Sequence, residues 1–347
     1  MTARFALVGT GFRAHAFARV AAALPDRLRL EGVFAPRTAS AGAAFAAEWG
    51  VTAWSSLDGL AASRPDFAVV SVHASATPAL LAALAERGIP VLTETPLAPH
   101  DEAIDAARAL ERAGARIQVA EQYHLEPLIA AQLAIVRGEY LGDVSQVCVA
   151  VAHDYHGISV GRLLLGTGLE QPRSITAFHI PSPIVEGPSR SGDPREERVV
   201  TTTRTIAVLE FDGAVLQYDF DDQQYRSWIR SPSVLVRGSR GELRDTRVRY
   251  LASFDRPVVS DLVRLETGGA GNHEGMFLRG YSFEGMSLSA NEFAPARLAD
   301  DEISLARILV AMHRYVEGGE APYSIDQAAY DQQLATAIHR AARRDGA

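Results

Sequence analysis

The sequence predicts an α/β fold with a doubly wound parallel sheet in its first third and an α+β half after it, and three observations carry that prediction. One is Phe5-Ala6-Leu7-Val8-Gly9-Thr10-Gly11-Phe12-Arg13-Ala14, an apolar strand that runs through a glycine turn into a helix. Another is the alternation, up to residue 120, of short apolar runs with helical segments of about ten to fifteen residues, which indicates parallel strands joined by crossover helices. The third is the change after Pro172 to short strands, with RTIAVLEF and AVLQYDF flanking an Asp212-Gly213 hairpin turn.

The first strand and its turn point to a dinucleotide. Gly9 permits the tight turn, Gly11 leaves no Cβ between backbone and pyrophosphate, and Ala14 lets helix and strand pack closely. The helix N-terminus, from Phe12 and Arg13 onward, offers N–H groups and a positive dipole end to phosphates, with Thr10 inside the same turn. The second strand, Leu28 to Ala35, ends in Pro36-Arg37-Thr38. An NAD site places an acid there for the ribose 2′-OH, whereas an arginine accommodates a 2′-phosphate. The missing acid, with Arg37 and the hydroxyls of Thr38 and Ser40, makes NADP the expected cofactor and leaves NAD possible.

A helix closed by Gly50 follows, then a strand at Val51–Trp54, a helix from Ser56 and the buried strand Asp66–Val72. His73 lies just past that strand, at the carboxyl edge where open α/β sheets bind ligands, so it is a candidate cofactor contact or a simple loop histidine. The helix Pro78–Gly88, the strand Ile89–Thr93 and Glu94-Thr95-Pro96-Leu97-Ala98 come next, and helix Asp101–Gly114 and strand Arg116–Ala120 complete the alternation.

The order GTGFRA, DFAVVSV and VLTETPLA resembles the Gfo/Idh/MocA family, named for glucose–fructose oxidoreductase, inositol 2-dehydrogenase and a rhizopine catabolism protein. The resemblance implies a Rossmann domain over residues 1–122 and a substrate-binding and oligomerisation domain over 123–347, with an open, largely antiparallel sheet. It also implies NAD(P)-linked oxidation or reduction of sugars, polyols or related carbonyl compounds, in a homodimer or homotetramer. The family pattern Glu-Lys-Pro is here Glu94-Thr95-Pro96. Glu94 and Pro96 match as cofactor contacts, but Thr95 carries no charge to stabilise an alkoxide, so it offers at most a hydrogen bond. In Glu121-Gln122-Tyr123-His124, Gln122 matches a polar residue near the nicotinamide, and Tyr123 and His124 are further acid–base or substrate-binding candidates.

The densest polar chemistry is His153-Asp154-Tyr155-His156, after the apolar run Val144–Ala152 and before the helical GISVGRLLLG. His156, Arg162 and Gly166 match the family's spacing of a catalytic histidine, an arginine and a glycine, while the family's aspartate position is Ala152. A histidine with an ordinary pKa near ~6.5 suits proton transfer at neutral pH, and Asp154 or Tyr155 could orient it. His153 and His156 lack a clear third ligand, so no metal is expected.

In the second half, YRSWIRSPSVLVRG, GELRD, Arg247–Leu251 and Asp261–Glu266 read as further strands, with Tyr225 and Trp228 on one of them. Pro181–Arg198 and the Gly-rich Gly268–Gly275 read as irregular segments, the former a lid, an interface arm or disorder. Two helices, Asp300–Glu317 and Ser324–Arg343, end the chain.

Whole-chain properties bound the function. The 347 residues suit about two domains, and 47% hydrophobic with 22% charged residues is ordinary for a soluble globular protein. A net charge of −8 argues against nucleic acid or an anionic membrane as partner. The single cysteine, Cys148, lies in an apolar run and reads as a buried core thiol, excluding an intrachain disulfide. With no apolar stretch of membrane-spanning length and no leader architecture, a cytoplasmic protein is expected. The resulting expectation is an NAD(P)-dependent oxidoreductase for a sugar-like, cyclitol or other small substrate, with His156 as general acid/base. Two alternatives remain open: redox-neutral glycoside cleavage or epimerisation on a retained cofactor, and a non-catalytic NADP-binding sensor or regulatory subunit.

Overall fold

The computed structural model describes residues 2–269 and 275–344, so the middle of the Gly-rich tract lies outside the described residues. The chain forms two compact units. One holds Met1–Glu126, Glu266–Arg279 and Asn291–Ala329, and the other Pro127–Leu265, Gly280–Ala290 and Tyr330–Ala347.

The first unit is built on β1 (Ala3–Val8), α1 (Phe12–Ala23), β2 (Leu28–Phe34), α2 (Ala39–Trp49), β3 (Thr52–Trp54), α3 (Leu57–Ala62), β4 (Phe67–Val70), α4 (Thr77–Glu86), β5 (Val91–Thr93), α5 (Asp101–Arg112) and β6 (Ile117–Val119). The six strands pair in parallel in the order β3-β2-β1-β4-β5-β6. This is the doubly wound order of a Rossmann domain, and its direction reverses between β1 and β4, where such sheets open a ligand crevice. Both faces of the sheet are covered, so β1 from Phe5 onward and all of β4 are apolar rather than alternating. Phe5 and Phe67 stack across the β1–β4 pair at 5.8 Å.

A helix from the far end of the sequence completes this unit. Helix α8 (Asp300–Val316) packs on α1, β1 and β4 and buries Ile303, Leu305, Ile308, Leu309 and Met312. The division at residue 122 expected from sequence groups this helix with the second half, whereas its contacts place it with the first. An amphipathic helix shows that it has an apolar face but not which sheet that face covers.

The second unit contains α6 (Pro127–Arg137), β7 (Val144–Ala150), α7 (Asp154–Leu165), β8 (Ser174–Val185), β9 (Val199–Glu210), β10 (Val215–Asp221), β11 (Ser233–Gly238), β12 (Gly241–Arg244), β13 (Arg247–Ser253) and β14 (Arg256–Asp261). Its sheet runs β14-β13-β12-β11-β7-β10-β9-β8, antiparallel except for the β7–β10 pair. β15 (Val263–Thr267) follows, then β16 (Phe277–Phe283) and β17 (Met286–Ala290), which form an antiparallel hairpin, and α9 (Ile325–Arg344) ends the described chain. Helix α7 lies on β7 and β10 at close range. A Cβ on Gly157 would sit 2.7 Å from the Tyr218 ring, and one on Gly161 would sit 2.5 Å from Leu216.

Four local expectations are corrected. Residues 181–185 are not loop: they continue β8 in register with β9 through Val185↔Val199, leaving only 186–198 irregular. β8 is the edge strand, where Pro181 and Pro183 can point their missing N–H groups away from the ladder. Tyr225 and Trp228 lie in the turn-rich connection before β11 rather than on a strand, with Trp228 67% exposed. Cys148 is half-buried, and its thiol donates to Gln217 Oε1 at 2.8 Å, because β7 turns it away from the face that α7 covers. Helix α7 begins at Asp154, so Asp154, Tyr155 and His156 form its first turn instead of preceding the helix.

Candidate functional site

The sequence-predicted residues fall into two groups, one in each unit. In the first unit, the residues of the cofactor group all lie at or just beyond the carboxyl ends of β1, β2, β4, β5 and β6. Gly9 has φ +113°, and a Cβ there would stand 2.1 Å from the Ser71 carbonyl oxygen, so the turn accepts glycine alone. Gly11 is different. As the N-cap of α1 it has an extended backbone, and a Cβ there meets nothing within 4 Å. The fold itself does not demand glycine at Gly11, whereas a phosphate seated on the helix end would. No side chain caps α1 and no acid occupies its first turn, which suits an anion. Thr10 is half-buried beside the turn, and Phe12 is 56% exposed.

Arg13 reaches from α1 to the loop after β5. Its Nε and Nη2 donate to Glu94 Oε1 at 3.2 and 3.1 Å, and its guanidinium lies 5.6 Å from the centre of the Phe17 ring. Burial works against the Arg13 charge, but Glu94, with smaller help from Tyr123 and Asp301, holds the guanidinium above its ordinary value. Thr95 and Pro96 beside it are half-buried. Gln122, after β6, is buried with its side-chain oxygen unpaired, an acceptor available to a ligand. Tyr123 follows in a short 3₁₀ turn over Tyr123–Leu125, in which the His124 ring meets that of Tyr323 at 5.5 Å. Nearby, burial together with Asp301, Asp300 and Glu121 pushes the Glu126 carboxyl up to about 8.

Arg37 and Thr38 are exposed beyond β2, where no acid stands. His73 is exposed and engaged locally, its Nδ1 lying 2.8 Å from Ser75 Oγ as it caps its own 3₁₀ turn. The open helix end, the glycine that no neighbour requires and the unpaired buried Gln122 fit a dinucleotide in this unit.

The second group surrounds the start of α7. Asp154 takes φ +46°, a left-handed backbone that aspartate tolerates better than most residues. Its N–H donates to Tyr218 Oη at 2.7 Å, and its Oδ1 pairs with His339 Nε2 of α9 at 2.7 Å. The carboxylate thus has a direct partner that the sequence does not point to, His339, 185 residues away. His156 is buried, its ring 5.0 Å from that of His153 and 4.5 Å from that of Tyr155. The backbone N–H of His153 donates to Tyr225 Oη at 3.0 Å, and its Nδ1 bonds the same hydroxyl. Burial raises the Asp154 carboxyl, but the hydrogen bond and charge of His339, with His153 and His156, outweigh it and hold it below the ordinary value. The same hydrogen bond lifts His339 above the ordinary histidine value against the opposing effect of burial.

Arg162 and Asp331 fasten α7 to α9. Both are 2% exposed, with Nε–Oδ1 at 2.8 Å and Nη2–Oδ2 at 3.1 Å, and Arg162 Nη1 also donates to the Gly168 carbonyl at 3.1 Å. Sequence reasoning missed His339, His179, Tyr218 and Asp331. All are distant in sequence, and His339 sits in an alanine-rich helix without a local motif. Among the described residues no group of three or more His, Cys, Asp or Glu is placed to hold a metal ion, and no helix is long and apolar enough to cross a membrane.

Comparison with known proteins agrees with this architecture. Residues 3–121 match the model of the oxidoreductase family with an NAD-binding Rossmann fold, Gfo/Idh/MocA. No curated protein sequence matches the chain significantly. Among solved structures, a levoglucosan dehydrogenase in complex with NADH and levoglucosan aligns at TM-score 0.70 and 15% identity, covering 99% of this chain and 98% of its own. An oxidoreductase from Agrobacterium radiobacter in complex with NAD⁺, L-tartaric acid and magnesium aligns at 0.67 and 16%, covering 99% and 97%. The WlbA dehydrogenase from Bordetella pertussis, in complex with NADH and UDP-GlcNAcA, aligns at 0.64 and 17%, covering 100% and 98%. At these identities the likeness to the three structures is one of fold.

Proposed function

We propose, from the match of residues 3–121 to the model of the Gfo/Idh/MocA oxidoreductase family, that this chain is a dehydrogenase/reductase that interconverts a secondary alcohol and a carbonyl of a sugar-like or polyol substrate, with His156 as general acid/base. The observation that supports the redox reading is the glycine turn: Gly9 is imposed by the fold, while Gly11, at the uncapped start of α1, opens onto free space that leaves room for a phosphate. The nicotinamide supplies a hydride acceptor or donor when bound. Gly11 and the start of α1 would hold its pyrophosphate, and buried Gln122 would offer it an acceptor. Glu94 is held in place by Arg13, and Thr95 contributes no more than a hydrogen bond. His156 takes the hydroxyl proton during oxidation and returns it during reduction.

Arg37, exposed at the end of β2 with Thr38 and no acid beside it, supports NADP over NAD. Arg37→Ala should then weaken NADPH binding by about tenfold or more while leaving NADH nearly unchanged, as loss of a charge-assisted phosphate contact predicts. Equal losses for both cofactors would refute the preference.

The deciding experiment incubates the protein with NAD⁺, NADP⁺ or their reduced forms against sugars, polyols and ketosugars, following absorbance and product mass together. His156→Ala should abolish turnover and leave cofactor affinity intact, and unchanged turnover removes His156 from the chemistry. Product without an absorbance change means a redox-neutral cycle, a reading that Thr95 in place of the family lysine makes worth testing.

A further inference from the structure

Asp154 does not end at His339. From His339 Nδ1 a further contact of 3.3 Å reaches His179 Nε2 on β8, and His179 Nδ1 lies 3.2 Å from Thr205 Oγ1 on β9. Asp154, His339, His179 and Thr205 thus form one continuous chain of proton-bearing groups across α7, α9, β8 and β9, all within the second unit. One end is the first turn of α7, which holds Asp154 and His156 together behind His153 at the N-cap, the two histidine rings 5.0 Å apart. The other end is open, because His179 is exposed. Among these groups only the imidazoles can take a proton on one nitrogen while releasing one from the other.

We propose that His339 is the proton relay of this site, passing protons between the His153–His156 cluster and solvent by way of Asp154 and His179. The inference rests on the reading of His156 as acid/base. Oxidation of an alcohol sends a hydride to the nicotinamide and the O–H proton to His156, and that proton must leave before the next turnover. A buried imidazole needs a route for it. The proton moves to the Asp154 carboxylate, His339 accepts it at Nε2 while releasing the one on Nδ1 to His179, and His179 gives it to water. Only O–H and N–H bonds form or break, and reduction runs the same path backward.

The surrounding charges suit the task. Asp154 and, more weakly, Asp222 favour the imidazolium of His339, while Arg343 one helical turn away opposes it. His179 is biased the other way by burial and by the charges of His339 and Arg343, so it sheds its proton readily. Tyr218, whose hydroxyl receives the Asp154 N–H, is pushed up by burial and remains protonated, holding the Asp154 backbone without joining the transfer.

One test needs no substrate. In the full chain carrying ¹⁵N-labelled histidine, His339 should titrate above the free-imidazole value of ~6.5, and Asp154→Asn should bring it down. A His339 that titrates as a free imidazole and ignores Asp154→Asn overturns the relay. The other test uses turnover with the nicotinamide cofactor and a polyol from the panel above. His339→Ala and His339→Gln should both lose kcat on the order of tenfold or more in dilute buffer with KM nearly unchanged, and added imidazole should restore His339→Ala. Glutamine keeps a donor toward Asp154 but cannot pass a proton. Full activity in His339→Gln, or a His339→Ala defect that imidazole does not repair, therefore refutes the relay. His156→Ala in the same assay separates the two claims: wild-type turnover sinks the acid/base reading itself, whereas an inactive His156→Ala beside fully active His339 variants sinks the relay alone.

Discussion

Replacing Asp331 by Asn should uncouple α7 from α9 at a cost that the geometry allows one to estimate. Arg162 and Asp331 are each 2% exposed and joined by two parallel contacts of 2.8 and 3.1 Å, so neither charge retains water to fall back on. Breaking such a pair from one side leaves a buried, unmatched charge and typically costs about 3–5 kcal/mol. The contacts of Arg162 with the Gly168 carbonyl and the face of the Tyr330 ring carry no full negative charge to replace the carboxylate. For a cooperative unit of roughly 150–250 residues each kcal/mol lowers Tm by about 2–4 °C, so a fall of about 6–20 °C is expected. Urea unfolding gives the free energy directly, provided that the slope m is unchanged. The paired substitution Arg162→Met with Asp331→Leu removes both charges and should recover most of the loss, because a buried pair contributes little net stability over apolar residues of similar size. A cost below about 1 kcal/mol for Asp331→Asn, in the range of an exposed pair, would refute the argument. So would a double variant no more stable than the single one.

The two glycines of the first turn should respond oppositely. Gly11→Ala meets open space, so Tm should move by no more than a few degrees while cofactor affinity falls at least about tenfold, read by fluorescence titration; unchanged affinity would refute a phosphate at that position. Gly9→Ala places a methyl 2.1 Å from the Ser71 carbonyl at φ +113°, so it should lower stability as well as binding, and a fully stable Gly9→Ala would show that the turn can shift. Glu126→Gln tests the buried carboxyl. Its folded pKa of about 8 exceeds the unfolded value near ~4.3, so its burial costs the fold increasingly as pH rises between those values. The variant's Tm advantage should therefore grow from pH 5 to pH 8 and level off above, and a gap independent of pH would refute the assignment.

The first unit was largely legible because its signals are local. The glycine turn of Gly9 and Gly11, the stop at Gly50 and the helix cap at Ser56 each act within a few residues, and the structure has all of them where the sequence places them. The second unit was less so. Pro181 and Pro183 argue against a strand unless the strand is known to be an edge, and edge status belongs to the sheet order. Tyr225 was read as part of a strand, whereas its hydroxyl holds His153 from a turn.

By itself, the sequence determined the parallel Rossmann sheet, the likeness of residues 3–121 to the Gfo/Idh/MocA oxidoreductase family and the crowding of polar side chains at His153–His156. These rest on short-range physics: apolar runs that must be buried, turns that admit glycine alone, and polar side chains crowded into four positions. The tertiary structure alone determined that α8 covers the first sheet, that Asp331 locks Arg162, and that Asp154 pairs with His339. Such partnerships join residues more than 150 positions apart. They follow from which helix faces meet, and no local pattern encodes that meeting.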